Sequence, residues 1–98
     1  MSIRFEWDPA KNDASQRKHG LRFEDAKPIF IWEAARFDEL DESYPGKEAR
    51  FISVGSIPEG LITVVWSAPS DNAVRIISVR RSSKRERNLY QAYNDIHE

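Results

Sequence analysis

Apolar and polar positions alternate most clearly in the second half of the chain. Residues Ala49 to Ile57 and Leu61 to Ala68 read as two strands joined by the short connection Pro58-Glu59-Gly60, a hairpin signal, and the longer turn from Pro69 to Ala73 leads into a third strand, Val74 to Arg81. Three strands in such close succession predict an antiparallel meander. A strict period of two places Arg75, Ile77, Val79 and Arg81 on one face and Val74, Ile76, Ser78 and Arg80 on the other, so the neighbours Arg80 and Arg81 point opposite ways. Ser83-Lys84-Arg85-Glu86 then has capping-box spacing and opens a final helix reaching about Ile96, with Leu89, Ala92, Tyr93 and Ile96 recurring at helical intervals.

The first half is less regular. Ile3 to Trp7 suits a short strand, and Asp8-Pro9 reads as a helix start, with Asp at the N-cap and Pro in the first turn. That helix is expected to run to about His19 and stop at Gly20, with Lys18 and His19 at the negative end of its dipole. Its apolar positions are few, Ala10, Ala14 and then Leu21, so it should cover an edge of the core rather than its centre. A second helix is expected around Phe23 to Phe30, with Pro28 limiting it, then a short strand from Ala35 to Leu40 and a loop from Asp41 to Lys47. The fold class is therefore α+β, a short N-terminal strand, two helices, an antiparallel β-meander and a C-terminal helix, in a single domain over residues 1–98.

Composition narrows the chemistry. No apolar run approaches the roughly 20 residues of a membrane span, and charges stand where a secretory signal needs its apolar core, so the expected location is cytoplasmic. With no cysteine and two histidines, disulfides, thiolate nucleophiles and zinc sites are not expected, and no cofactor is indicated. The net charge of -1 conceals a segregation: Glu33 to Glu48 holds six acidic residues against Arg36 and Lys47, while Arg75 to Arg87 holds six basic residues against Glu86 alone. Clustered cations of this kind fit a phosphate-bearing partner. The start of the final helix, with its backbone N–H groups and the neighbouring Lys84, Arg85 and Arg87, is a second phosphate-binding environment. Pairing of these arginines with the acidic segment is the competing explanation.

Several short motifs occur in one order. Phe5-Glu6-Trp7-Asp8-Pro9-x-Lys11, Lys18-His19-Gly20, Phe23-Glu24-x-Ala26, Glu48-x-Arg50 and Ile77-Ser78-x-Arg80-Arg81-x-Ser83-x-x-Glu86-Arg87-x-x-Tyr90 together resemble the BrnT family of toxins over nearly the whole chain. The resemblance implies a RelE-like fold, a ribonuclease that cleaves messenger RNA and halts translation, and a BrnA-like DNA-binding antitoxin as partner, with the ribosome as a further candidate partner.

The residues add a chemical kit of their own. RNA carries its nucleophile, the 2′-hydroxyl, so cleavage needs a proton acceptor, cations around the phosphate and an acid beside the leaving oxygen, and no metal. Arg50 and Arg80 are candidates for phosphate stabilisation because guanidinium matches phosphate oxygens in pairs. His19 is a candidate acid or base, since histidines titrate near neutrality, and equally a simple helix C-cap; Glu48 is an alternative base, or a partner for Arg50. Lys18, Arg81, Lys84, Arg85, Arg87 and Tyr90 complete the candidate RNA contacts, Tyr90 either stacking on a base or lying against the sheet. The alternative function is a non-catalytic module holding RNA or an acidic protein on its basic face. Convergence of the proton-transfer groups is what separates the two.

Overall fold

The computed structural model describes residues 2–31, 36–43, 46 and 48–97. Glu33, Ala35 and Lys47, which figure in the expectations above, lie outside the described residues. Strand β1 (Arg4–Glu6) is followed by helix α1 (Pro9–His19), a 3₁₀ turn (Phe23–Ala26), the short helix α2 (Pro28–Ile31), strands β2 (Arg36–Leu40), β3 (Arg50–Ile57), β4 (Gly60–Ser67) and β5 (Ala73–Arg81), and helix α3 (Lys84–His97). The sheet order is β1-β5-β4-β3-β2. The meander therefore extends to four antiparallel strands, and β1 joins it parallel to β5, pairing Phe5 with Val74.

Local sequence explains the helix ends. Asp8 Oδ1 accepts a hydrogen bond from the Ala10 N–H at 2.9 Å, Pro9 needs no donor, and Gly20 closes α1 at φ 68°, the left-handed region where a Cβ is costly. The expected second helix is broken in two at Lys27-Pro28, because proline has no N–H with which to continue the 3₁₀ turn. At the start of the 3₁₀ turn, Asp25 Oδ2 accepts from the Arg22 N–H at 2.9 Å.

The core lies between the sheet and the segment running from α1 through α2. Leu21, Phe23, Ala26, Ile29 and Phe30 pack on Ile62, Val64, Val74, Ile76 and Val79. Trp7 and Trp66 sit at its margin, Trp66 edge-on to Phe30 at 5.1 Å between ring centroids. α2 approaches β3 closely enough that a Cβ on Gly55 would lie 2.8 Å from Ile29 Cγ2. Gly55→Ala is thus an overpacking substitution in a buried site, expected to cost about 1–3 kcal/mol in a denaturant titration. A cost near zero would show that Ile29 moves aside freely.

One irregularity redistributes the cations. A bulge sets Trp66 opposite Ile76 and Val65 opposite Ser78, so Ile77 is the extra residue in β5. Beyond it the alternation is reversed. Arg75, paired with Ser67, and Arg80, paired with Thr63, share the face away from the core, contrary to the strict period of two, whereas Arg80 and Arg81 remain opposed.

Candidate functional site

β1 is only three residues long, so the outer edge of β5 from Ile76 onward is left for α1 to cover. Ser15 does this directly: its hydroxyl lies 2.9 Å from the Leu21 carbonyl oxygen and 3.2 Å from that of Val79, donating to acceptors that strand pairing leaves unused. Lys11, Ala14, Ser15 and Lys18, spaced three and four apart, form the stripe that faces this edge. The thin apolar face of α1 read from the sequence is the face of a helix that guards a strand edge.

Two adjoining recesses result. One, of about 200 Å³, is lined by Lys11, Glu48, Arg50, Ser67, Arg75 and Ile77. The other runs beneath α1 and includes Lys18, His19 and Ser78, and both share Lys11 and Ile77. In the first, Arg75 Nη1 donates to Glu48 Oε1 at 3.0 Å and the Ser67 hydroxyl donates to the same oxygen. Glu6 Oε1 accepts from Arg75 Nε at 2.8 Å and Nη2 at 2.7 Å. These contacts, led by the hydrogen bond to Glu6, raise the Arg75 pKa above the usual arginine value. Glu48 thus pairs with Arg75 across the sheet. Its second oxygen, Oε2, has no hydrogen-bond partner among the described residues, and neither Lys11, Lys18 nor His19 has an ion-pair partner among them.

The remaining sequence candidates are dispersed. Arg80 Nη1 and Nη2 each lie 2.7 Å from an oxygen of Glu86, which also accepts from the Ser83 N–H at 2.7 Å and the Thr63 hydroxyl at 3.0 Å. The Ser83 hydroxyl accepts from the Glu86 N–H at 3.2 Å, completing the capping box. The free N–H groups expected at the start of α3 are therefore partly satisfied from within. Arg87 Nη1 donates to the Ser82 carbonyl at 2.8 Å, and Arg81 reaches the Glu59 carbonyl at 3.3 Å on the opposite side of the sheet. Lys84 and Arg85 are exposed on the first turn of α3, and Tyr90 is half-buried on the same helix. The fold brings Glu48 and Arg50 together beside Lys11, puts Lys18 and His19 along the adjoining recess toward the far end of α1, and leaves Arg80, Arg81, Lys84, Arg85, Arg87 and Tyr90 outside both. Lys11 and Arg75 were missed by sequence reasoning: one looks like any helix lysine, and the other is moved to this face only by the bulge. Among the described residues no three His, Asp or Glu side chains come together as a metal site would require.

The family model for the ribonuclease toxin BrnT of type II toxin–antitoxin systems matches residues 7–86 of this sequence. The chain belongs to the BrnT family. A solved BrnT relative, the ribonuclease toxin of Brucella abortus, is similar at 26% identity with a TM-score of 0.61, over 85% of this chain and 100% of that one. No curated protein matches. A BrnT toxin of a type II pair has an antitoxin partner, and its activity as a ribonuclease directs attention to cation-lined recesses such as the one around Lys11. Among the described residues this BrnT chain has an α+β fold with a five-stranded mixed sheet and three helices, and it is similar to the Brucella structure. Among the described residues, no helix is long and apolar enough to cross a membrane.

Proposed function

We propose that this BrnT toxin is a metal-independent endoribonuclease that cleaves messenger RNA at the recess between α1 and the outer face of the sheet, and so inhibits translation in the cytoplasm. The observation that carries the reading is the assembly of Lys11, Arg50 and Arg75 around a carboxylate, Glu48, that is anchored by one oxygen only among the described residues. The scissile phosphate sits among the three cations. Glu48 Oε2 accepts the proton of the 2′-hydroxyl as its oxygen attacks the adjacent phosphorus. The bond to the 5′-oxygen breaks, leaving a 2′,3′-cyclic phosphate, and His19 in the adjoining recess supplies the proton that the departing oxygen takes up. Arg50 offers paired donors to the non-bridging oxygens as their charge grows.

Arg80 has a different part in this reading. Its guanidinium is committed to Glu86, so it acts as a positioning residue that fixes the start of α3 beside Thr63. Lys18, Lys84, Arg85 and Arg87 attract the strand on either side, Tyr90 gives it an aromatic surface, and Arg81 adds charge from the far side of the sheet. A RelE-like ancestry and action on ribosome-bound message fit the same arrangement. A BrnA-like DNA-binding antitoxin neutralises the toxin by covering the recess, because excluding RNA is the simplest block.

Cleavage of a purified RNA by the isolated protein in EDTA tests the proposal. Retained cleavage is expected. Loss in EDTA with recovery on adding magnesium would overturn metal independence, and RNA binding without cleavage would favour the non-catalytic binding module.

A further inference from the structure

A third recess, of about 250 Å³, opens beside the phosphate recess and shares Lys11, Arg75 and Ile77 with it. Trp7 and Asp8 line it as well, and their polar groups are underused. Asp8 Oδ1 caps α1, but Oδ2 has no hydrogen-bond partner among the described residues. The Trp7 indole is oriented by the edge of Phe23, 6.1 Å away at 86°, and by Lys27 Nζ, 5.4 Å from its centroid, yet its N–H meets no acceptor among them. A carboxylate acceptor thus lines the same recess as two residues that carry donors, Trp7 and Lys11, next to the place where the ribonuclease reading puts a phosphate.

The geometry points to a nucleobase subsite formed by Trp7, Asp8 and Lys11 that selects guanine beside the scissile phosphate; it rests on the ribonuclease reading for that location. A carboxylate accepts and never donates. Guanine alone among the four RNA bases presents two adjacent donors, N1–H and N2–H, with the acceptor O6 alongside for the indole or the ammonium. Uracil offers one N–H between two carbonyls, and adenine and cytosine place a ring-nitrogen acceptor next to their amino group, where it repels the carboxylate. Sequence-specific RNA recognition uses these edges of unpaired bases.

The test has two readouts. In ¹⁵N-labelled protein, the Trp7 indole resonance, assigned through Trp7→Phe, is followed during titration with GMP, AMP, CMP or UMP. GMP is expected to shift it at a concentration on the order of tenfold below the others, the discrimination that one paired-donor contact supplies. Asp8→Asn keeps the helix cap, because asparagine caps as well as aspartate, and is expected to abolish the difference. An unmoved indole, equal affinities, or a preference that survives Asp8→Asn would overturn the subsite. Cleavage of short RNAs that vary only in the bases flanking one phosphate gives the second readout, with cuts beside guanine expected. A GMP preference without any cleavage would refute the ribonuclease reading and leave the subsite standing. Cleavage indifferent to guanine, in wild type and Asp8→Asn alike, would refute the subsite and leave the ribonuclease.

Discussion

Replacing Arg50 by alanine is expected to slow single-turnover RNA cleavage on the order of 10²–10³-fold while leaving the protein folded, the loss typical when one preorganised donor to a developing anion is removed. Arg50 begins β3, two residues after Glu48, and both line the recess to which Lys11, Ser67 and Arg75 contribute. It is half-buried at the rim of the sheet, not part of the apolar core, so its removal leaves the packing of Val64, Ile76 and Val79 untouched. Arg50→Lys should restore only part of the rate, because an ammonium keeps the charge but lacks the planar pair of donors. Glu48→Gln should be similarly slow for a separate reason: the amide retains the hydrogen bond to Ser67 and cannot accept the 2′-hydroxyl proton. A rate for Arg50→Ala within a few-fold of wild type, with an unchanged melting curve, would remove this recess from the reaction.

The parts of the fold legible in the sequence are those fixed by neighbours in the chain. Asp8, Pro9 and Gly20 mark the ends of α1 because caps act within one turn, and Ser83 with Glu86 marks the start of α3 for the same reason. The three strands of the meander show because each buries one face beside its sequence neighbour. What the sequence hid depends on distant pairing. β1 lies beside β5 across nearly the whole chain, and nothing in Arg4-Phe5-Glu6 announces the parallel register. The bulge at Ile77 is the more consequential omission, because a single extra residue carried Arg75 from the expected face to the one it shares with Arg80. The site was therefore legible as a set of residue types but not as an arrangement. Glu48 and Arg50 were found by proximity and motif, whereas Lys11 is revealed only once α1 is laid along the edge of β5.

The same distinction governs Glu86, whose removal is expected to have the largest effect on stability. The residue is 9% exposed and its carboxylate meets Arg80, Thr63 and the Ser83 N–H at once, so a residue that reads locally as half of a capping box also ties α3 to two strands. The Arg80 guanidinium is the main reason that its pKa is held at about 2, with the Ser83 N–H and Thr63 helping and burial opposing. The gap from the ordinary carboxylate value near 4.5 corresponds to roughly 3 kcal/mol of stability at neutral pH. Because the folded value is depressed, that contribution is complete above about pH 4.5 and is lost as the pH falls toward about 2. Glu86→Ala should accordingly unfold about 3 kcal/mol more easily at pH 7, a fall in Tm of more than ~10 °C for a domain of this size, and the difference from wild type should shrink steadily on acidification. Arg80→Ala should cost less, about 2 kcal/mol, because Ser83 and Thr63 still serve the carboxylate that remains. Denaturant titrations of the three proteins from pH 7 to pH 3 decide the matter. A Glu86→Ala penalty that stays constant across that range would show that packing, not the ion pair, holds α3 in place, and would release Arg80 to serve the phosphate.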